Sequence, residues 1–497
     1  MKGIIFNFLC LAAVANSAGQ MSGQQVYDLR FDHEKYVTQT LAFEGKTFTV
    51  RAYENIVYVA RPVDTVYQKL NVYIPEEYFT GKSINGYNSQ TAPIFFPNQV
   101  GGYMPALPAS AANSPGRGMP QGGVMTGGQR QSAFLLALSK GYVVASAGAR
   151  GRTTRNSYDI YTGKAPAGMV DLKAAIRYLK VNDQLMAGDA GRIISNGTSA
   201  GGAMSTLLGA TGNHPDYEPY LESLGAAEAN DNIFAVSAYC PITDLDNADM
   251  AYEWQFNGIN TYKKRGAMQG NEQAVSILSD AQVIASKQLK DLFPGYINGL
   301  SLRDRNGDLL TLDQNGNGTF KEFVKSYVIA SAQKALDGGA DMSKYSFLTI
   351  KNGMVSHIDF NAYTEYMERQ KTPPAFDALD LSSPENQLFG NESVDKQHFT
   401  QYALENSKEN GTMADKQKVK MMNPLYYIGQ PESKTAEYWR IRHGTKDKDT
   451  GLAVPVILAT YLRNNGFNVN MELPWDIPHS GDYDLTELFD WIDNICK

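Results

Sequence analysis

The sequence predicts an α/β protein built on a largely parallel, doubly wound sheet, and three observations carry that prediction. From residue 93 to 241, short apolar runs alternate with helical runs at the spacing of parallel sheets. The alternation stops between about 246 and 430 and resumes from Tyr438 to the C-terminus, so a segment is inserted into the fold. At its centre, Ile193-Ile194-Ser195-Asn196 runs into Gly197-Thr198-Ser199-Ala200-Gly201-Gly202 and then into Ala203-Met204-Ser205-Thr206-Leu207-Leu208, which reads as strand, tight turn and helix.

Taken in order, Lys2, the apolar run 4–14 and the small residues Ala15, Ser17 and Ala18 predict a secretory signal peptide over residues 1–18. Cleavage falls after Ala15 or Ala18. The run is too short to span a membrane, so the mature chain is expected to be exported and without a membrane span. Residues 47–53, 56–60 and 70–75 read as strands, and the wholly apolar 93–97 as a buried central one. Residues 105–130, rich in Pro, Gly, Ser and Ala, predict a long surface loop. Helices are expected at 132–138 and 169–181, and strands at 142–146 and 233–241. After the insert come a strand at 438–443, a helix at 452–464, a strand at 467–473 and a closing helix at 485–495. The domains expected are a core of 19–245 plus 431–497 and an inserted lid of 246–430.

Composition narrows the function classes. Hydrophobic residues make up 43% and charged ones 20%, which is ordinary for a globular protein. The net charge of −7, without a dense Lys/Arg patch, argues against a nucleic-acid partner. Outside the signal peptide only Cys240 and Cys496 remain, which is no disulfide framework and no metal-ligand spacing. Whether the two pair is left open.

The turn at Gly197–Gly201 suits a nucleophile elbow, in which Ser199 stands exposed and the Ala200 N–H faces a forming oxyanion. Glycine-rich β–α turns without catalysis look similar, so the partners decide. Such hydrolases run Ser…Asp/Glu…His along the chain, with the histidine between the last strand and last helix; of six histidines only His479 fits. The acid follows the preceding strand, where Lys446-Asp447-Lys448-Asp449 offers two carboxylates, Asp447 nearer the strand end. A solvated charge run is the plain alternative. The strand 93–97 runs into Gly101-Gly102, where this architecture places its second oxyanion donor; Gly102 is the candidate, with Gly101 close behind. In the insert, Asp313-Gln314-Asn315-Gly316-Asn317-Gly318 matches half of a calcium loop, but its twelfth position is Val324, and Asx-rich turns look the same without metal.

Three ordered motifs together resemble the bacterial tannases, α/β-hydrolase galloyl esterases with an inserted lid: Gly197-Thr198-Ser199-Ala200-Gly201-Gly202, Gly444-Thr445-Lys446-Asp447-Lys448-Asp449-Thr450 and Ile477-Pro478-His479-Ser480-Gly481-Asp482. The resemblance covers the chain from about Phe96 onward. It implies an α/β-hydrolase fold with a large inserted lid, a Ser199–Asp447–His479 triad, and galloyl hydroxyls held by Lys371, Glu385 and Asp449 between Ile242 and Pro384. It implies a serine esterase acting on small galloyl esters and tannins through an acyl-enzyme; with the signal peptide the enzyme is expected to be secreted, and it is expected to be a monomer that needs no cofactor or metal. A feruloyl-type or general carboxylesterase with the same triad, and a non-catalytic polyphenol-binding homologue, are the rival readings.

Overall fold

The computed structural model describes residues 25–111, 132–263 and 275–497. The signal peptide and most of the 105–130 loop lie outside them. Seven strands precede the insert: β1 (Val37–Phe43), β2 (Lys46–Val57), β3 (Lys69–Pro75), β4 (Pro93–Pro97), β5 (Val143–Ala147), β6 (Asp189–Thr198) and β7 (Ala235–Tyr239). The segment between β7 and the closing strands holds two small hairpins, β8 (Thr261–Tyr262) with β9 (Ser276–Ile277) and β10 (Leu348–Lys351) with β11 (Met354–Ile358). The last strands are β12 (Tyr438–Arg442) and β13 (Asn468–Glu472).

Nine of these form one sheet in the order β1-β2-β3-β5-β4-β6-β7-β12-β13. It is parallel from β5 to β13, as the strand–helix alternation predicts, and antiparallel at the β1-β2-β3-β5 end. The central parallel strands β4, β5 and β7 read as near-continuous apolar runs because both their faces are covered; every one of their residues is buried. Two runs read as separate strands, 47–53 and 56–60, are mostly one long β2, whose register shifts between Tyr53 and Ile56 where Asn55 takes a positive φ of 63°. Among the described residues, nothing between β7 and β12 joins the large sheet. The first helix of that segment, Leu245–Phe256, nonetheless packs on the core helix Ala453–Asn464.

Six connections leave the carboxyl ends of parallel strands on one edge of the sheet: those after β4, β5, β6, β7, β12 and β13. That edge is where open α/β sheets bind ligands.

Candidate active site

β6 ends at Thr198 and the helix Ala200–Ala210 starts one residue after Ser199, whose φ and ψ are 63° and −125°. A non-glycine residue in this region is strained by roughly 1–3 kcal/mol, held only if the surroundings over-determine it. Here they do. The Ser199 N–H donates to Tyr239 O at 3.0 Å, and Ser199 O accepts from the Ala203 and Ile242 N–H groups at 2.9 and 3.3 Å. A Cβ on Gly197 would lie 2.2 Å from Gly201 O, and one on Gly201 would lie 2.7 Å from both Asn98 Oδ1 and Val100 O. The flanking glycines are therefore demanded by the turn itself.

Two more glycines bring the other loops in. A Cβ on Gly481 would sit 1.9 Å from Thr198 Oγ1, and one on Gly444 would sit 1.9 Å from Ile477 O. The loop after β13 thus lies against both the elbow and the turn after β12. His479 Nδ1 stands 2.8 Å from Asp447 Oδ2, and the Asp449 N–H donates to Asp447 Oδ1 at 2.9 Å. Asp447 is buried, which opposes its charge, but His479, His443 and the Asp449 amide hold its pKa well below the usual carboxylate range. Burial also opposes charge on His479, yet the Asp447 anion outweighs it and lifts the ring's pKa above its ordinary value.

Ser199 and His479 line one cavity of about 440 Å³ together with Gly101, Gly102, Asn98 and Phe134. The link between Ser199 Oγ and His479 Nε2 is not a hydrogen bond in this structure; Nε2 lies 4.0 Å from Cys240 Sγ instead. Such links are often long in unliganded enzymes and close in the Michaelis complex. Ala200 opens its helix, so its N–H has no intrahelical partner. Gly102 adopts φ 54° on the cavity wall.

Asp449 borders the same histidine, its Oδ2 3.7 Å from His479 Nδ1. Asp449 Oδ1 accepts from Gln370 Nε2 at 2.8 Å and lies 3.9 Å from Lys371 Nζ. Lys371 Nζ also sits 3.9 Å from the Phe376 ring centroid. Glu385 is buried in the short helix Pro384–Leu388; burial raises its pKa against the pull of Lys371 and Arg152. Pro384 is the first residue of that helix, and the buried Ile242 is held through its carbonyl, which accepts from Tyr103 OH at 2.9 Å.

Comparison with solved structures identifies the family. A tannase from Fusobacterium nucleatum superposes with a TM-score of 0.88 at 49% identity, over 95% of this chain and 100% of that one. A tannin acyl hydrolase from Lactobacillus plantarum does so with 0.87 at 45%, over 94% and 99%. The chain belongs to the tannase family. A tannin acyl hydrolase in complex with ethyl gallate gives the same figures as the L. plantarum structure, 0.87 and 45% over 94% and 99%. The family profile described as BD-FAE matches residues 122–289, and no curated protein matches. Membership in the tannase family makes the chain an α/β-hydrolase and a carboxylic-ester hydrolase.

The structure adds residues that sequence reading missed. Arg152 Nε donates to Gly102 O at 2.9 Å while its Nη1 bonds Gln387 of the helix Pro384–Leu388, so one guanidinium ties the glycine loop to the helix carrying Glu385. Gln370 fixes one Asp449 oxygen. Neither lies in a motif, and no spacing announces a contact across 50 or 235 residues.

Cys240 and Cys496 are both free thiols. The Asp313 loop is closed by its own amides: Asp313 Oδ1 accepts from Asn315 and Asn317 N–H at 2.8 and 2.9 Å, and Lys321 Nζ bonds Asn317 Oδ1 at 2.9 Å. An ammonium therefore already occupies the edge a cation would share. A strong chelator should leave Tm unchanged; a fall of several degrees would show a stabilising ion after all.

Proposed function

We propose that this chain hydrolyses the galloyl ester and depside bonds of tannins and gallate esters, releasing gallic acid through an acyl-enzyme. Ser199 Oγ attacks the ester carbonyl carbon while His479 Nε2 takes its proton, and Asp447 holds the ring and balances the imidazolium. The N–H groups of Ala200 and Gly102 receive the oxyanion. Collapse expels the alcohol, protonated by His479, and water activated by the same nitrogen then frees the acid. Ile242 and Pro384 cover the faces of the ring. Glu385 and Asp449 accept from phenolic O–H groups and Lys371 donates to a phenol oxygen. Because Lys371 and Glu385 lie in 246–430 and Asp449 in the core, the insert acts as a lid that completes the pocket. Residues 1–18 direct export, and no helix among the described residues is long and apolar enough to cross a membrane.

The observation that carries this reading is Asp449, which touches both machineries: 3.7 Å from the triad histidine and 3.9 Å from Lys371. Hydroxyl recognition abuts the reacting carbonyl. Ethyl gallate in the related tannin acyl hydrolase supports the ligand class. The test is a comparison of methyl gallate with methyl ferulate. A feruloyl group places one hydroxyl and a methoxy where the clamp expects hydroxyls, leaving charged groups unpaired at about 1.5–3 kcal/mol each. Methyl gallate should therefore have at least about 10-fold higher kcat/KM, and equal values would overturn the galloyl assignment.

A further inference from the structure

Cys240 is unused by the mechanism, yet it sits within it. It follows β7 with a strained φ of 36°, is 1% exposed, and is pinned by its N–H donating to Arg442 O at 2.6 Å. Its Sγ lies 4.0 Å from His479 Nε2 and 3.4 Å from Ser480 O. Cys240, His479 and Asp447 bring their ligand atoms within 4.8 Å of one another. We propose that Cys240 Sγ and His479 Nε2 form an inhibitory site for a thiophilic divalent cation such as Zn²⁺ or Cd²⁺.

The geometry suits such an ion. Asp447 lies on the opposite side of the imidazole, 2.8 Å from Nδ1, and so turns the Nε2 lone pair toward the thiol. A carboxylate behind a ligating histidine is the usual outer shell of a bound metal. Zinc bonds of about 2.3 Å to sulfur and 2.0–2.1 Å to nitrogen, at a tetrahedral angle, separate the two ligands by about 3.5 Å. The 4.0 Å found closes by a small rotation of the imidazole, and less for a larger soft ion. The His479 ligand borders the cavity that it lines with Ser199, from which water or Ser199 Oγ would complete the shell. Thiolate with imidazole selects soft cations over Mg²⁺ or Ca²⁺. On binding, the Cys240 thiol proton passes to solvent as the sulfur–metal bond forms, and nothing is oxidised. Inhibition follows because the captured Nε2 lone pair is the one that must accept the Ser199 proton.

This inference rests on the triad reading, so the experiment reads binding and catalysis separately. Chelator-treated enzyme is titrated with Cd²⁺ while thiolate-to-Cd²⁺ charge-transfer absorption is followed in the ultraviolet. In parallel, the rate at which a fluorophosphonate labels Ser199 is measured, which avoids gallate esters that would themselves chelate the ion. The band should saturate at one equivalent, labelling should slow at least 10-fold, and EDTA should reverse both. In Cys240→Ser and Cys240→Ala, each compared with its own metal-free rate, the band should vanish and inhibition should need at least 10-fold more Cd²⁺. Cys496→Ser should behave as the native enzyme, and Mg²⁺ should do nothing. Equal inhibition of the Cys240 variants, or by Mg²⁺, or a band without slowed labelling, overturns the proposal. Failure of labelling without any metal would instead overturn the triad, and absence of the band would then remove the metal site as well.

Discussion

Ser199→Ala lowers kcat on methyl gallate by about 10⁵- to 10⁶-fold, the loss expected when the nucleophile of a triad is removed and only binding and the oxyanion donors remain. The fold should survive. Ser199 keeps its turn through backbone bonds to Tyr239, Ala203 and Ile242, none of which needs the hydroxyl. Its positive φ is a strained conformation for alanine as for serine, so Tm should move by a few degrees at most. Denaturation curves together with residual hydrolysis decide the matter. Retention of more than a few per cent of activity by folded Ser199→Ala would place the nucleophile elsewhere.

The second large effect belongs to Asp447. Asp447→Asn should reduce kcat about 10⁴-fold on every ester, because an amide no longer fixes the His479 tautomer or balances the imidazolium. It should also move the pH profile, with a sign that follows from the charges. Activity requires neutral His479, so kcat/KM rises with pH through the histidine's pKa. The Asp447 anion stabilises the protonated ring and holds that pKa above its ordinary value. Removing the anion lowers the pKa and shifts the acid limb to lower pH, while Asp449, 3.7 Å away, retains part of the effect. Asp449→Asn should act differently, weakening hydroxylated benzoates while sparing turnover of a short p-nitrophenyl ester. An acid limb that stays in place in Asp447→Asn, or equal losses for both variants on the non-phenolic ester, would mean that the two roles are wrongly divided.

What was legible in the chain follows from how local each cause is. The elbow could be read because its glycines answer collisions within a few residues: Gly197 meets Gly201 O, and the turn excludes any side chain there. Gly444 and Gly481 stand inside the motifs for a longer-range reason, the packing of the three loops against one another, and sequence marks the glycine but not the neighbour that requires it. Strands buried on both faces announced themselves as apolar runs, as at β4. The edge strand β1 did not, since VTQTLAF buries none of its residues fully, and the antiparallel end of the sheet was missed with it. The change in texture puts the start of the insert at 246, inside the helix Leu245–Phe256, which packs both on the insert helix Asp280–Leu300 and on the core helix Ala453–Asn464. Arg152, Gln370 and the approach of Cys240 to His479 are contacts between distant loops. Nothing local encodes them.

The measurement closest to the central claim is kcat/KM along a series of methyl esters from which ring hydroxyls are removed one at a time: gallate, protocatechuate and monohydroxybenzoate. It is made on the native enzyme and on Lys371→Ala and Glu385→Ala. A pocket whose buried charged groups are paired by substrate hydroxyls loses about 1.5–3 kcal/mol for each bond left unmade, or roughly 10- to 150-fold per step. The native enzyme should descend in steps of that size, and the variants should flatten the series by losing gallate most. Losses that are equal across all three esters would contradict the account, because Lys371 and Glu385 would then only hold the insert in place.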